Sequence, residues 1–166
     1  MDFILRPWNI SDLESLVMHA NNPLIAKFMT DGFPYPYTED SGKKFIAFAT
    51  ADKPIHIFAF DIEGKAVGGI GIHPQQDIYR KNAEIGYWLG EKYWNKGIIT
   101  KALNQVVQIA FHDFYIERVF ARPFGTNKSS QKVLEKCGFE LEAILKKTIF
   151  KNGEYIDELI YSKRKK

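Results

Sequence analysis

Cysteine is nearly missing from this chain: Cys137 is the only one among 166 residues. No intrachain disulfide can form, so a disulfide scaffold is excluded. Long apolar runs are missing too, since none approaches the roughly 20 residues that span a bilayer. The opening stretch Met1 to Arg6 lacks a basic-then-apolar export pattern, which makes the reducing cytoplasm the expected compartment. No single charge sign dominates, with 23 Lys and Arg against 20 Asp and Glu and a net charge of +3. Lys163, Arg164, Lys165 and Lys166 supply four positive charges, so everything before them is net −1. The basicity is thus expected to be a solvated tail over residues 163–166, and a nucleic-acid partner is not expected. Repeats, low-complexity segments and Pro/Gly/Ser linkers are absent, as expected of one domain over residues 1–166. His19, His56, His73 and His112 are scattered without ligand spacing, so no metal is expected. Hydrolase chemistry of the Gly-x-Ser-x-Gly type has no motif here.

What is present is apolar material: 45% hydrophobic and 14% aromatic residues, enough to exclude disorder. Phe3 to Arg6 reads as a strand stopped by Pro7. Asn9 or Ser11 can cap a helix whose Leu13, Leu16, Val17 and Ala20 recur at helical spacing, with Pro23 ending it. A second helical stretch is predicted over 24–29, an aromatic, proline-fixed loop over 31–38 and a third helix over 39–50. From Ile55 the period changes to two. Strands over 55–60 and 66–72 flank a hairpin turn at 62–65, and a strand over 83–89 alternates Ile85, Tyr87 and Leu89 against Glu84, Gly86 and Trp88. A helix follows, with Ile99, Ala102, Leu103, Val106, Ala110 and Phe114 on one stripe. A strand at 118–122, a helix capped by Asn127 and stopped by Gly138, and two strands joined by Asn152-Gly153 complete the chain. The expected fold class is α+β: a mostly antiparallel mixed sheet flanked by helices, with one strand–helix–strand crossover.

The stretch Glu84 to Thr100 carries the most chemistry. A helix start with Lys96, Gly97 and Thr100 in or beside its first turn offers unpaired N–H donors and partial positive charge to a phosphate or pyrophosphate, although Asn95 and Gly97 could equally serve only to begin a helix. The dipole contributes only about 0.3–2 kcal/mol, so hydrogen bonds from the amides must carry most of such an interaction. Gly90 and Gly97 are wrongly spaced for the nucleotide-binding loop. Gly69-Ile70-Gly71 runs into Pro74 without a helix, so the dinucleotide fingerprint fails as well.

Glu-Ile-Gly-Tyr-Trp-Leu-Gly at 84–90, Tyr-Trp-Asn-Lys-Gly-Ile-Ile-Thr at 93–100, Asn-Lys-Ser-Ser at 127–130 and Val-Leu-Glu-Lys-Cys-Gly-Phe at 133–139 occur in this order. Together they resemble the Gcn5-related N-acetyltransferases, most closely the branch holding ribosomal-protein acetyltransferases of the RimJ/RimL type. The loop at 33–38 and the segment at 152–157 are similar to that branch too, so the resemblance spans essentially the whole chain. It implies an acetyl-CoA-dependent transfer to a primary amine, either a protein N-terminus or a small amine. The family's glycine-containing loop falls on Trp94, Asn95, Lys96, Gly97, Ile98 and Ile99, whose amides would hold the pyrophosphate, with Thr100 adding a hydroxyl. Trp94 departs from the general Arg/Gln, and Ile99 from a small residue. The resemblance also lays Trp88, Leu89 and Gly90 along the pantetheine arm and puts Asn127 and Ser130 near the coenzyme's reactive end.

The chemistry needs a base to remove a proton from the ammonium, a donor for the oxyanion and a partner for the leaving thiolate. Glu84 is the candidate base, working through a water; a solvated strand-end carboxylate is its plain alternative. A backbone amide near Leu89 is the oxyanion donor, and Ser130 the acid or thiol contact. Some relatives carry a carboxylate where this chain has Ile149. Phe33, Tyr35 and Tyr37 match the acceptor-side wall and could line a slot for the amine, or simply pack a long loop. Asp31, Glu39 and Asp40 could attract a cation. Cys137 is expected to pack as a small apolar residue. Exposed edge strands leave room for a homodimer. The competing readings are a non-catalytic acyl-CoA-binding module and an RNA-associated protein using residues 163–166.

Overall fold

The computed structural model describes all of residues 1–166, which divide into two compact units: Met1–Gly71 with Tyr87–Ala102, and Ile72–Gly86 with Leu103–Lys166. Seven strands and five helices, with three short 3-10 turns, make up the fold. The strands are β1 (Ile4–Pro7), β2 (Ile57–Ile62), β3 (Lys65–Pro74), β4 (Asn82–Leu89), β5 (Arg118–Ala121), β6 (Glu140–Lys151) and β7 (Glu154–Arg164), in sheet order β1-β2-β3-β4-β5-β7-β6. The β4–β5 pair is parallel, while the β1–β2, β2–β3, β5–β7 and β6–β7 pairs are antiparallel. The expected α+β class and mixed sheet are therefore observed.

In the first unit, β1 lies on β2 with Ile4 opposite Asp61 and Pro7 opposite Phe58. The turn between β2 and β3 holds Glu63 and Gly64 at φ 52° and 79°, the paired positive angles of a tight hairpin. Helix α1 (Leu13–Ala20) follows a 3-10 turn that Asn9, rather than Ser11, caps: Ser11 N–H donates to Asn9 Oδ1 at 2.9 Å, and Asn9 N–H donates to Asp12 at 2.9 Å. Helix α2 (Pro23–Ala26) is shorter than its predicted 24–29 range, and α3 (Glu39–Ala51) starts at a Thr38 cap. Their apolar stripes bury Leu16, Ala20, Ile25, Ile46 and Ala49 with Trp8, Ile57, Ala59 and Ala66. Trp88 joins this cluster, and Leu89 is buried as well, so both faces of β4 are covered at this end. Phe33 covers the indole edge-on at 5.5 Å between centroids. Arg6 ties the unit together by donating to both oxygens of buried Asp12, at 2.9 and 2.8 Å, and to Asp61.

Helix α4 (Ile98–His112) buries Ile98, Ala102, Leu103, Val106 and Ala110. Ile98 takes the inward place predicted for Ile99, and the helix ends before Phe114. In the second unit, Glu84 pairs with Phe120 at the end of the β4–β5 register, and Phe120 pairs with Ser162 of β7. Helix α5 (Lys128–Lys136) ends at Gly138, φ 80°. The hairpin of β6 and β7 turns on Asn152 and Gly153, φ 51° and 79°. The expected basic tail is largely part of the fold. Lys163 pairs with Val119 and donates its Nζ to the Cys137 carbonyl at 2.8 Å, and Lys165 N–H donates to the Glu117 carbonyl at 2.9 Å. No helix is long and apolar enough to cross a membrane.

Candidate active site

Each unit carries its own set of candidate residues. In the first, β4 ends at Leu89 and the chain passes through a 3-10 turn, Glu91–Tyr93, before α4 begins. Asn95 and Gly97 both take positive φ, 59° and 72°. A Cβ placed on Gly97 would meet no atom within 4 Å, so the space beside its backbone is open. The first intrahelical bond runs from Lys101 N–H to Gly97 O at 3.1 Å, leaving the amides of Gly97, Ile98 and Ile99 ahead of the ladder. Lys96 is exposed and its Nζ stands 5.7 Å from the Tyr93 ring centre. This loop has the donors, the charge and the open backbone that a pyrophosphate needs. The side chain of Ile98 points into the core, so only its backbone faces that role; Ile99 and Thr100 are half-buried.

Trp94, the departure from the Arg/Gln pattern, has a structural function here. Its indole N–H donates to the Leu89 carbonyl at 2.7 Å, tying the end of β4 to the loop before α4. Gly90 differs from its expected role. Its N–H donates to the Val67 carbonyl at 2.8 Å, and a Cβ there would lie 2.7 Å from His19 Nδ1. Glycine at 90 thus answers to packing, and its amide is committed within the protein. Trp88 contributes backbone only, because its side chain is core.

The three loop aromatics separate. Tyr37 is buried, its hydroxyl pushed up to about 12 by burial, and it packs on Phe33 at 5.1 Å. Phe33 is half-buried between Tyr37 and Trp88. Tyr35 is exposed and is the one ring of the three free to meet an acceptor. Asp31, Glu39 and Asp40 are exposed, and Asp40 pairs with Lys44 at 2.9 Å.

In the second unit Glu84 is half-buried, and burial pushes its carboxyl up from the usual range. Arg122 pulls it back, while Glu158 adds to the push. A carboxylate whose pKa is raised is a stronger base than an ordinary one. Asn127 caps α5 through Oδ1, which accepts the Ser130 N–H at 3.2 Å and so fixes Ser130 in the first turn. Ile149 lies opposite Ile156 in the hairpin and offers no proton acceptor. Cys137 is buried and its thiol is pushed up by that burial, the opposite of an activated nucleophile.

Three groups here were missed from sequence. Glu158 is buried and accepts from Arg122 Nε and Nη2 at 3.0 and 2.7 Å. His73, set aside with the other histidines, lies across from Glu84. Gln75 N–H donates to the Asn82 carbonyl at 2.9 Å, and two residues further along each strand that register opposes His73 to Glu84. Nothing local in the sequence marked any of the three. No group of three His, Cys, Asp or Glu could hold a metal.

A family model described as Acetyltransferase (GNAT) domain matches residues 2–140. The chain is 32% identical over 96 residues to the N-acetyltransferase YoaA of Bacillus subtilis, a match covering 58% of this chain and 54% of that protein. It is 30% identical over 109 residues to the L-amino acid N-acetyltransferase AaaT of Escherichia coli, covering 64% and 67%. The chain thus spans about half the length of YoaA and two thirds of AaaT. Among solved structures, the microcin C7 self-immunity acetyltransferase MccE, in complex with acetyl-CoA and AMP, superposes with TM-score 0.83 at 29% identity over 98% of this chain and 92% of that one. The RimL ribosomal L7/L12 acetyltransferase, in complex with coenzyme A, superposes with TM-score 0.84 at 22% identity over 96% and 92%.

Proposed function

Because the chain belongs to the GNAT acetyltransferase family, we propose that it transfers an acetyl group from acetyl-CoA to a primary amine by direct attack in a ternary complex. The observation that carries this reading is the open Gly97 backbone at the start of α4, with amides ahead of the helical ladder and Lys96 beside them. These residues would hold the pyrophosphate, and the backbone of Trp88 and Leu89 would pair with the pantetheine arm. When bound, acetyl-CoA supplies an activated acyl group on a thiol leaving group.

The remaining work falls to the chain's own residues. An alkyl ammonium must lose a proton before it can attack, and Glu84, raised by burial, accepts that proton through a water. The Leu89 amide polarises the acyl carbonyl. Ser130, fixed by the Asn127 cap, meets the departing sulfur. Tyr35 lines the approach of the amine, while Phe33 packs between Tyr37 and Trp88. The acceptor class follows the relatives: a free amino acid, as the name of AaaT states, or a protein N-terminus, as the name of RimL states.

The test is release of CoA thiol from acetyl-CoA with a panel of free amino acids, peptides with free N-termini and small alkyl amines. Turnover is expected on at least one class. Glu84→Gln should reduce it more near neutrality than at high pH, where free amine is plentiful. Coenzyme binding with no turnover on any amine would leave only a binding module, and a uniform effect of Glu84→Gln across pH would remove Glu84 as base.

A further inference from the structure

One face of the sheet in the second unit carries a row of polar side chains of which the proposed reaction uses only Glu84. Glu84 lies opposite Phe120, and Phe120 opposite Ser162. Strand alternation then puts Arg122 and Glu158 on the same face. Arg122 directs Nε and Nη2 onto a single oxygen of Glu158, Oε1, at 3.0 and 2.7 Å. Its Nη1 and the second oxygen of Glu158 stand outside that pair. The two partners differ in exposure, with side chains 44% and 11% accessible. A pair serving only to neutralise a buried carboxylate would be best made as a two-oxygen fork. Here the guanidinium is gripped along one edge and keeps its other edge for a neighbour. Both charges reach Glu84, with opposite signs.

We propose that Arg122 and Glu158 are a positioning pair for Glu84: Glu158 occupies one edge of the guanidinium, so that Arg122 shares its charge between two carboxylates instead of locking Glu84 in an ion pair. An unshared Arg122 would hold Glu84 as a spent carboxylate and make it a poor proton acceptor. Without Arg122, half-buried Glu84 and buried Glu158 would face each other, and one would hold its proton to higher pH. The inference rests on the reading of Glu84 as base. The other charged or titratable groups on this face are His73 from β3, Arg118 from β5, Arg164 from β7, and Glu140 and Glu142 from β6. Arg118 is engaged by Asn82 at 3.0 Å and by Glu142 at 2.9 Å.

The experiment is a pH titration of the glutamate side-chain carboxyl carbons by NMR on the full chain without ligand, with Glu84 assigned by its loss in Glu84→Gln. A His73→Asn background removes that ring's own titration step. Arg122→Gln should move the Glu84 midpoint up, and the isosteric Glu158→Gln should move it down. Each shift should change the protonated-to-ionised ratio at fixed pH by about 3-fold or more. Arg122→Lys, which keeps the charge, should return most of the shift. The acid limb of the turnover profile should follow in the same directions. Midpoints that stay put, or that move the same way in both variants, overturn the proposal. Should Glu158→Gln fail to fold, Arg122→Gln decides alone, and an unmoved or lowered midpoint refutes the pair. If the midpoints separate as expected while Glu84→Gln leaves turnover intact, the pair stands and the assignment of the base falls.

Discussion

Gly97 combines a backbone angle that disfavours any side chain with open space that a side chain would fill. Gly97→Glu therefore adds local strain of about 1 kcal/mol and sets a carboxylate among the amides meant for a pyrophosphate. Calorimetric titration should show acetyl-CoA affinity falling at least about tenfold, the equivalent of roughly 1.4 kcal/mol. Unchanged affinity would remove this loop as the coenzyme cradle. Residues whose meaning is local were legible in the sequence. Lys96 and Gly97 announce a helix start by type and order, and Asn127 announces a cap. Arg122, Glu158 and His73 gain meaning only from register between strands far apart in the chain, which no window of sequence contains. Tyr37 and Trp88 show the converse. The resemblance put Tyr37 on a binding wall and Trp88 along the coenzyme arm, and burial against Phe33 commits both rings to packing.

At the level of elements, α5 depends on one side chain. Asn127 accepts the Ser130 N–H at 3.2 Å and satisfies one of the donors that a helix start leaves unpaired. Asn127→Ala should cost about 1 kcal/mol of stability, read as a lower urea midpoint, and should reduce turnover by loosening the first turn that holds Ser130. An unchanged midpoint would show that another group caps the helix. Both tight hairpins were readable, because Glu63-Gly64 and Asn152-Gly153 supply the positive φ pairs such turns require. The irregularity of β6 was not. Its register with β7 shifts between Leu145 and Ile149, Lys147 sits at φ 51°, and Asp157 on the partner strand accepts the Lys147 N–H at 2.9 Å to hold the bulge. The basic run at 163–166 misled for the same reason: its charge is conspicuous, whereas its strand pairing depends on Val119 and Arg118.

On the scale of the molecule, the Arg6–Asp12–Asp61 network joins β1, the turn before α1 and β2. Burial alone would push the Asp12 carboxyl up, but hydrogen bonds from Arg6 and the Asn9 amide outweigh it and hold Asp12 below its ordinary value. A lowered folded-state value means that the stabilisation is complete above the unfolded value of about 3.9 and is lost as pH falls through the folded one. Arg6→Met leaves a buried, unpaired carboxylate and should cost about 3–5 kcal/mol at pH 7. In urea denaturation the gap between wild type and variant should narrow on acidification, as Asp12 takes up a proton; a gap independent of pH would assign the loss to packing instead. Of the three tryptophans, Trp8 and Trp88 are core and only Trp94 reaches solvent. The residue that ties β4 to the loop before α4 is therefore also the chain's single surface tryptophan. Its emission can be quenched from solution independently of the other two, which makes this loop optically addressable in the unmodified protein without a label.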